Sequence, residues 1–156
     1  MNDDIVIRLG RPADLPGVIV MAGNSRSAAH WRPEQYQAAL ESGRLLLVAE
    51  ENVTVLGFLV AHDIAGEWEL ENIVVAPAHQ RLGIAKQLVQ ALVHEAEILN
   101  GKFIFLEVRE SNIAAKHLYE SCGFQQYGSR SGYYSNPSED AALYRLLCNP
   151  KSLEKC

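Results

Sequence analysis

The pattern of hydrophobic and polar positions in the first half of the chain predicts a meander of strands with helices between them. Apolar residues alternate with polar ones near the N-terminus, and two longer apolar runs flank the polar stretch Glu50-Glu51-Asn52, as in a β-hairpin. The strands are predicted over 5–9, 45–49, 53–61 and 67–75. Helices are predicted over 11–21, and over 34–41 with Pro33 as the first helical residue. This half therefore predicts an antiparallel sheet with helices inserted near its start.

The second half changes to a helical period and then returns to strands. Apolar residues recur at i, i+3 and i+4 over 83–100, and Asn100-Gly101 is a typical helix end. The run FIFLEV, at 103–108, is nearly all apolar, which predicts a strand at the sheet centre that is covered on both faces. A further helix is predicted over 113–122, and a last hairpin over 124–134 and 141–147. The whole pattern predicts an α/β protein with a mixed sheet.

The connection between the strand over 67–75 and the long helix has the character of an anion-binding site. An apolar run, Ile73-Val74-Val75, stops at Ala76-Pro77 and is followed by a basic loop and then by the helix. The N-terminus of a helix presents backbone N–H groups without partners, and such an end binds phosphate. Gly83 permits close approach of the backbone, and Arg81 and Lys86 add positive charge beside it. Two common phosphate loops are excluded, because neither G-x-x-x-x-G-K-[ST] nor G-x-G-x-x-G occurs here.

Composition and charge narrow the class of protein. At 156 residues the chain is long enough for one domain with its own core, which we place at 1–148, followed by a polar tail over 149–156. A net charge of −5 with scattered basic residues argues against a nucleic-acid-binding protein and is compatible with a basic protein or peptide as partner. The three cysteines show no metal-ligand spacing and are typical of reduced thiols. The acidic N-terminus and the lack of a long apolar stretch predict a cytoplasmic protein without a membrane segment.

Motifs in two parts of the chain resemble a known enzyme superfamily. Gln80, Gly83 and Ala85 match [QR]-x-x-G-x-[GA], the pyrophosphate loop of the GNAT acetyltransferases. The stretch LEVRESNIAAKHLYESCGF, at 106–124, meets every fixed position of L-E-V-R-x-S-N-x-x-A-x-x-L-Y-x-x-x-G-F, a pattern of the RimI-type protein N-terminal acetyltransferases. The second pattern is much more specific than the loop, and it resembles the bacterial ribosomal-protein alanine N-acetyltransferases in particular.

Two further segments extend this resemblance to nearly the whole chain. The residues Arg130, Tyr133-Tyr134 and 139–141 are similar to that family's R-x-x-Y-Y…E-D-A segment, and 28–36 is similar to the loop between its first two helices. The resemblance implies the GNAT, or acyl-CoA N-acyltransferase, fold: a mixed, mostly antiparallel sheet with helices on both faces. In that fold the fourth and fifth strands splay apart and form the cofactor cleft.

The resemblance also assigns residues that hold acetyl-coenzyme A (acetyl-CoA), the acetyl donor, and no metal is expected, since neither the cysteines nor the histidines have metal-ligand spacing. Backbone groups of the fourth strand would pair with the pantetheine amides like an added strand, and the loop after it would hold the pyrophosphate. The cofactor-binding residues implied are Ile73, Val74, Val75, Arg81, Leu82, Gly83, Ile84, Ala85, Lys86 and Asn112. Asn112 also precedes a predicted helix, so it is equally well placed as an N-cap, and the two roles are compatible.

Two residues are implied as catalytic. Glu107 is the family's base by position, and it is the one carboxylate in an otherwise apolar strand, where burial should raise its pKa. The alternative is a structural ion pair of Glu107 with Arg109 or another cation. Tyr119 is the family's general acid for the departing thiolate, although a helical tyrosine is more often a core residue. Cys122 is read as a buried thiol, because direct transfer needs no covalent enzyme intermediate.

Five more residues are candidates for binding the acceptor. They are Glu69, Glu71, Arg130, Tyr133 and Tyr134. The two glutamates lie on one face of the predicted fourth strand and could contact a basic substrate, assist the base or simply face solvent. Arg130 and the paired tyrosines are expected to shape a peptide-binding groove.

The chemistry of the acceptor favours a protein N-terminus. A protein α-amine has a pKa of about 7.7–8.0 and is partly neutral in the cytoplasm, whereas lysine at about 10.4 is almost wholly charged. We therefore predict transfer to the N-terminal α-amine of a protein, with the N-terminal alanine of a small-subunit ribosomal protein as the first candidate. The alternatives are a GNAT enzyme acting on a lysine side chain or a small amine, or a non-catalytic acetyl-CoA-binding module. No direct nucleic-acid or membrane contact is expected, and the chain should be a monomer or a weak homodimer.

Overall fold

The computed structural model describes residues 4–25 and 28–149, and these form seven strands, four α-helices and short 3₁₀ turns. The strands are β1 (Val6–Leu9), β2 (Leu45–Glu51), β3 (Thr54–Ile64), β4 (Glu67–Val75), β5 (Phe103–Arg109), β6 (Gln125–Tyr134) and β7 (Glu139–Leu147). The helices are α1 (Leu15–Gly23), α2 (Pro33–Glu41), α3 (Ile84–Ile98) and α4 (Ile113–Ser121). Each predicted helix and strand is therefore found, with ends that differ by a few residues.

The strands form one mixed sheet in the order β1-β2-β3-β4-β5-β7-β6. The β1–β2, β2–β3, β5–β7 and β6–β7 pairs are antiparallel, whereas β4 and β5 are parallel. The β4–β5 register runs over three positions, from Glu67 opposite Phe103 to Glu69 opposite Phe105. This pairing therefore involves the first three residues of each strand. The expected α/β class with a mostly antiparallel sheet is confirmed.

Two compact units share this sheet. The first comprises the described residues through Asp63 together with Leu70–Leu92, and the second comprises Ile64–Glu69 together with the described residues from Val93 onward. The single domain predicted over 1–148 is not tested by this division and stays a prediction. The predicted tail over 149–156 lies outside the described residues except for Asn149. No helix in the described ranges is long and apolar enough to cross a membrane.

The core of the first unit is built on both faces of β2 and β3. Val48 and Phe58 are fully buried and pack with residues of α1 and α2, whereas the alternate residues Leu47 and Leu59 are buried from the other side. Such burial on both faces explains why these strands read as continuous apolar runs rather than as alternating ones.

A buried polar residue in β4 fastens this core to the loop that connects α1 and α2. Asn72 is 4% exposed, its Nδ2 donates to the hydroxyl of Tyr36 (2.8 Å), and its Oδ1 accepts from the backbone N–H of Ala29 (3.1 Å). The Tyr36 ring in turn lies 5.0 Å from the ring of Trp31 and 6.1 Å from that of Phe58. The sequence analysis gave Asn72 no role, because an isolated asparagine in a strand carries no signal of burial.

Tyr36→Phe is expected to lower the free energy of unfolding by about 1–3 kcal/mol, because the buried Asn72 Nδ2 then loses its acceptor. Urea denaturation should show a lower midpoint with an unchanged slope. Tyr127→Phe is the control. Tyr127 is 47% exposed, so water can form hydrogen bonds with the groups around its hydroxyl once the hydroxyl is removed. Equal midpoints for the two variants would contradict a stabilising role of the Asn72–Tyr36 hydrogen bond.

The second unit contains β5, and the prediction that this strand is covered on both faces is wrong. The strand alternates, because Ile104, Leu106 and Val108 are buried, whereas Glu107 between them is exposed and Phe103 and Phe105 are half-buried. One face of β5 is therefore well covered and the other reaches solvent. The all-apolar run arose because aromatic side chains occupy the less covered face, where they contact each other at 5.6 Å between ring centroids.

Two turns also differ from expectation. The β2–β3 turn centres on Asn52 and Val53, which both have positive φ (49° and 68°), rather than on Glu50-Glu51-Asn52. Positive φ at both central residues matches the right-handed twist of the hairpin strands. The helix predicted over 11–21 begins later, because a 3₁₀ turn over Pro12–Asp14 precedes α1.

Candidate active site

In the first unit, the end of β4 leads into a loop shaped by two residues in the left-handed region. Arg81 has φ 64° and Gly83 has φ 82°, so the chain reverses twice just before α3. Such conformations turn successive backbone N–H groups toward a common point and favour anion binding. The Gln80 side chain ties the loop back to the strand, since its Nε2 donates to the carbonyl oxygen of Val75 (3.2 Å).

The beginning of α3 is open in the way a phosphate-binding end requires. The hydrogen bond from Gln87 N to Gly83 O (3.1 Å) belongs to the first turn, so the N–H groups of the preceding helical residues point out of the helix end. Arg81 and Lys86 are exposed beside it. A Cβ built at Gly83 would meet nothing within 4 Å, which leaves room for a ligand over the loop. These features fit the pyrophosphate of acetyl-CoA.

The remaining residues predicted to contact the cofactor differ in accessibility. In β4, Val74 is buried, while Ile73 and Val75 are half-buried. Asn112 caps α4 through its Oδ1, which accepts from Ala115 N (3.1 Å), so the capping role is found. Its contact with the cofactor stays a prediction, as do those of Leu82 in the loop and of Ile84 and Ala85 at the start of α3.

In the second unit, Glu107 lies at the centre of a polar cluster on the exposed face of β5. Desolvation by the surrounding protein is the largest cause that raises the Glu107 pKa above its usual value, and the negative charge of Glu69 raises it further. Arg130 and a hydrogen bond from the Tyr133 hydroxyl act in the opposite direction. The residue is solvent-exposed, so the carboxylate combines a raised pKa with access for an acceptor. The raised pKa agrees with the direction expected for a carboxylate in an apolar strand.

The two candidate acidic residues of β4 have different environments. Glu69 is exposed and contributes to the electrostatics of Glu107. Glu71 instead accepts a hydrogen bond from Arg44 Nε of the first unit (2.7 Å), which neutralises its charge. This pairing makes Glu71 a weaker candidate for binding a basic acceptor than Glu69, a distinction that the shared strand face did not predict.

The hairpin of β6 and β7 brings two tyrosines to the same cluster. The rings of Tyr133 and Tyr134 lie 4.9 Å apart and nearly perpendicular, and the guanidinium of Arg130 lies 5.0 Å from the Tyr133 ring. Burial, followed by the negative charge of Glu107, raises the pKa of Tyr134 to about 12. The pKa of Tyr133 is raised for the same reasons. Both hydroxyls are therefore protonated at neutral pH, and that of Tyr133 donates its hydrogen bond to Glu107.

Tyr119 occupies the covered side of β5. It is 5% exposed, with its ring 5.8 Å from that of Phe124 and 6.5 Å from that of Tyr144. Tyr144 lies opposite Leu106 in the β5–β7 register, so it shares the face of the buried residues of β5. Burial raises the Tyr119 pKa well above its usual value, and the largest electrostatic neighbour is Tyr134. Tyr119 therefore packs as a core residue, and its electrostatic neighbour Tyr134 belongs to the Glu107 cluster.

Sequence reasoning missed the true partner of Arg109. The suggested Glu107–Arg109 ion pair is not found among the described residues, because Arg109 Nη1 pairs with Glu139 Oε1 (3.4 Å). Nothing in the spacing could reveal this, since Glu139 follows 30 residues later in another strand. Cys122 is half-buried rather than buried. No group of three or more His, Cys, Asp or Glu side chains within the described ranges could hold a metal ion.

Comparisons with known proteins agree with this geometry. The model of the acetyltransferase (GNAT) family matches residues 20–124. A ribosomal protein bS18-alanine N-acetyltransferase from Haemophilus ducreyi is 37% identical over 99 residues, which are 62% of this chain and 68% of that relative.

Solved structures extend the likeness to the rest of the fold. The crystal structure of the ribosomal-protein-S18-alanine N-acetyltransferase from Escherichia coli has a TM-score of 0.84 at 29% identity, covering 93% of this chain and 94% of that one. The structure of yncA from Salmonella typhimurium with its cofactor acetyl-CoA has a TM-score of 0.80 at 21% identity, covering 94% of this chain and 95% of that one. The second comparison concerns the fold alone. Together the matches confirm the expected fold and the RimI-type resemblance.

Proposed function

We propose that this chain, which belongs to the acetyltransferase (GNAT) family, transfers the acetyl group of acetyl-CoA to the N-terminal α-amine of a protein. The acceptor we propose is the N-terminal alanine of a small-subunit ribosomal protein, in keeping with the names of the relatives from Haemophilus ducreyi and Escherichia coli. The observation that carries the proposal is the Glu107 cluster, in which an accessible carboxylate has a raised pKa. A carboxylate with these properties is suited to act as a general base toward a partly neutral amine.

The donor would be held by the loop and helix end that follow β4. Backbone N–H groups at Gly83 and the start of α3, with the side chains of Arg81 and Lys86, would bind its pyrophosphate. Backbone groups of Ile73–Val75 would pair with its pantetheine arm. When bound, acetyl-CoA supplies an acetyl thioester, which is already activated toward amines. A backbone N–H near Val75 would polarise the acetyl carbonyl.

Glu107 would accept the proton that the α-amine loses as it attacks. An α-amine with a pKa of about 7.7–8.0 is partly neutral at pH 7, so a weak base such as a carboxylate is sufficient to accept its proton. Because desolvation and Glu69 raise its pKa, Glu107 holds this proton better than an ordinary glutamate would. Tyr119 would donate its phenolic proton toward the departing thiolate, and its raised pKa keeps it protonated until then.

The acceptor would be held by groups around the base. Glu69 offers a negative charge to the basic residues of a ribosomal protein, and the hydroxyl of Tyr134 offers a hydrogen bond to a peptide backbone. The hydroxyl of Tyr133 donates to Glu107 and can accept a hydrogen bond from a peptide N–H. Arg130 stacks on Tyr133 and orients it. Among the sequence candidates, Glu71 has the least support, because Arg44 already engages its carboxylate.

The deciding assay uses two peptides with the N-terminal sequence of the host's own alanine-starting ribosomal protein. One has a free α-amine, and the other has a blocked α-amine and a free lysine. Incubation with enzyme and acetyl-CoA should acetylate only the first, as read by mass spectrometry, because lysine at a pKa of about 10.4 offers little neutral amine. Labelling of the blocked peptide contradicts the α-amine proposal and points to lysine. No transfer to either, with acetyl-CoA binding intact, points to a small amine or a non-catalytic module.

The setting of the enzyme follows from the same proposal. We place it in the cytoplasm, where ribosomal proteins are made and where the thiols of Cys122 and Cys148 stay reduced. We propose that it works as a monomer or a weak homodimer and meets its protein acceptor without direct contact with nucleic acid or membrane.

A further inference from the structure

We propose that Arg109 and Glu139 form a positioning pair that holds the acceptor-binding hairpin and the helix of Tyr119 in register with Glu107. The inference rests on the proposed function, which gives Glu107, Tyr119 and the hairpin their roles. Its structural evidence is a set of contacts within the second unit, none of which involves a residue predicted to bind the cofactor.

Arg109 ends β5, two residues after Glu107, and its guanidinium is committed to the hairpin between β6 and β7. Nη1 donates to the carbonyl oxygen of Pro137 (3.1 Å) and Nη2 donates to that of Ser135 (3.3 Å). The guanidinium carbon lies 4.4 Å from the centroid of the Tyr134 ring. One side chain therefore fastens the turn of the hairpin and stacks on a tyrosine of the Glu107 cluster.

Glu139 connects the same pair to a third element. One carboxylate oxygen lies 3.4 Å from Arg109 Nη1, and the other accepts a hydrogen bond from the backbone N–H of Ser111 (2.6 Å). Ser111 directly precedes Asn112, the N-cap of α4, and α4 carries Tyr119. The hydrogen bonds from Ser111 are the largest cause that lowers the Glu139 pKa, so the carboxylate is ionised throughout the neutral range.

The three fastened elements carry the groups that must act in one transfer step. Glu107 comes from β5, Tyr133 and Tyr134 from β6, and Tyr119 from α4. Tyr134 is the electrostatic neighbour of both Glu107 and Tyr119, so a shift of the hairpin would disturb the base and the acid together. A misplacement of about 1 Å can cost as much as 10²-fold in rate.

The test compares Arg109→Gln with Arg109→Lys and Glu139→Gln. Lysine keeps the charge but lacks the planar fork that reaches two carbonyl oxygens while stacking on Tyr134. Glutamine at 139 keeps an oxygen for Ser111 N while removing the charge that pairs with Arg109. We expect kcat/KM for the α-amine peptide to fall about 10–100-fold in both Arg109 variants, through kcat as well as KM, and less in Glu139→Gln.

The control is Arg145→Gln, which removes a guanidinium that stacks in the same sheet, 5.5 Å from the Phe103 ring and 5.0 Å from the Tyr127 ring. It should leave kcat/KM within about twofold of wild type, since stacked surface cations contribute little. The dissociation constant for acetyl-CoA, from calorimetry, should stay within about twofold in all variants. A fall in acetyl-CoA affinity as large as the rise in peptide KM, or an Arg109→Lys variant as active as wild type, overturns the proposal.

Amide hydrogen exchange gives a readout that needs no acceptor. In Arg109→Gln the segment 133–140 should exchange faster than in wild type and in Arg145→Gln, because the turn loses its donors. If wild type acetylates neither peptide but exchange over 133–140 changes as expected, the proposed function fails while the positioning role stands. Unchanged exchange in Arg109→Gln overturns the positioning role whatever the acceptor is.

Discussion

Glu107→Gln is expected to lower kcat/KM for the α-amine peptide by roughly 10²–10⁴-fold, the usual contribution of a general base. Glutamine has nearly the shape of glutamate but accepts no proton, so the attacking amine loses its base while the surrounding contacts stay. The affinity for acetyl-CoA should not change, because Glu107 is not among the residues assigned to hold it. Steady-state kinetics with calorimetry of acetyl-CoA binding measure both quantities.

The pH dependence ties this effect to the Glu107 carboxylate. In wild type the rate should fall on the acid side at a pH above the usual glutamate pKa, because desolvation and Glu69 favour the protonated form. Glu69→Gln removes a negative neighbour and should move this limb to lower pH. Arg130→Gln removes a positive neighbour and should move it to higher pH. Protonation of the acceptor α-amine gives a separate limb at about 7.7–8.0 in every variant. A lower limb that shifts in neither Glu69→Gln nor Arg130→Gln, or that persists in Glu107→Gln, assigns the titration to another group.

Stability provides an independent control on Glu107→Gln. The raised pKa means that the folded protein binds the carboxyl proton of Glu107 more tightly than the unfolded chain does. The resulting contribution to the free energy of unfolding is fully present below the unfolded-state pKa and is lost as the pH rises through the folded-state pKa. Glutamine has no charge to desolvate, so at neutral pH the variant should resist urea at least as well as wild type. Glu67→Gln, an exposed carboxylate at the start of β4, should leave both activity and stability near wild type.

Tyr119→Phe is expected to lower kcat by about 10²-fold, the lower end for a general acid, because a thiolate leaves without much assistance. The ring stays in its aromatic cluster with Phe124 and Tyr144, so packing is retained and only the hydroxyl is lost. Because burial raises the Tyr119 pKa well above its usual value, this residue should not produce an alkaline limb near neutral pH. The measurement is kcat at saturating peptide and acetyl-CoA.

Tyr144→Phe is the matched control for this variant. Tyr144 lies in the same cluster, and its hydroxyl donates to Glu120 Oε1 (2.8 Å) rather than to the catalytic groups. It should lose some stability and keep its kcat. If both tyrosine variants lose the same activity, Tyr119 acts through core packing, and the assignment as general acid is wrong.

The local sequence determined the elements and the chemistry they carry. Strand β4 was predicted with both ends correct, because its apolar pattern is bounded by a Gly-containing turn and by Pro77. The helix start after Gly83 and the positive charges beside it are likewise local features, so the anion site could be predicted from a few consecutive residues. The motif over 106–124 identified Glu107 and Tyr119 as candidates, and their roles stay predictions.

Only the tertiary structure decided how these residues meet. The pKa of Glu107 depends on Glu69, Arg130 and Tyr133, which come from other strands, and no spacing in the sequence reports which neighbours face it. The same holds for Glu71, which pairs with Arg44, and for Arg109, which pairs with Glu139. Strand pairing alternates side chains between two faces and joins distant segments, so partners are set by register rather than by separation along the chain. Chain order thus specifies which groups are available, whereas packing specifies which of them act together.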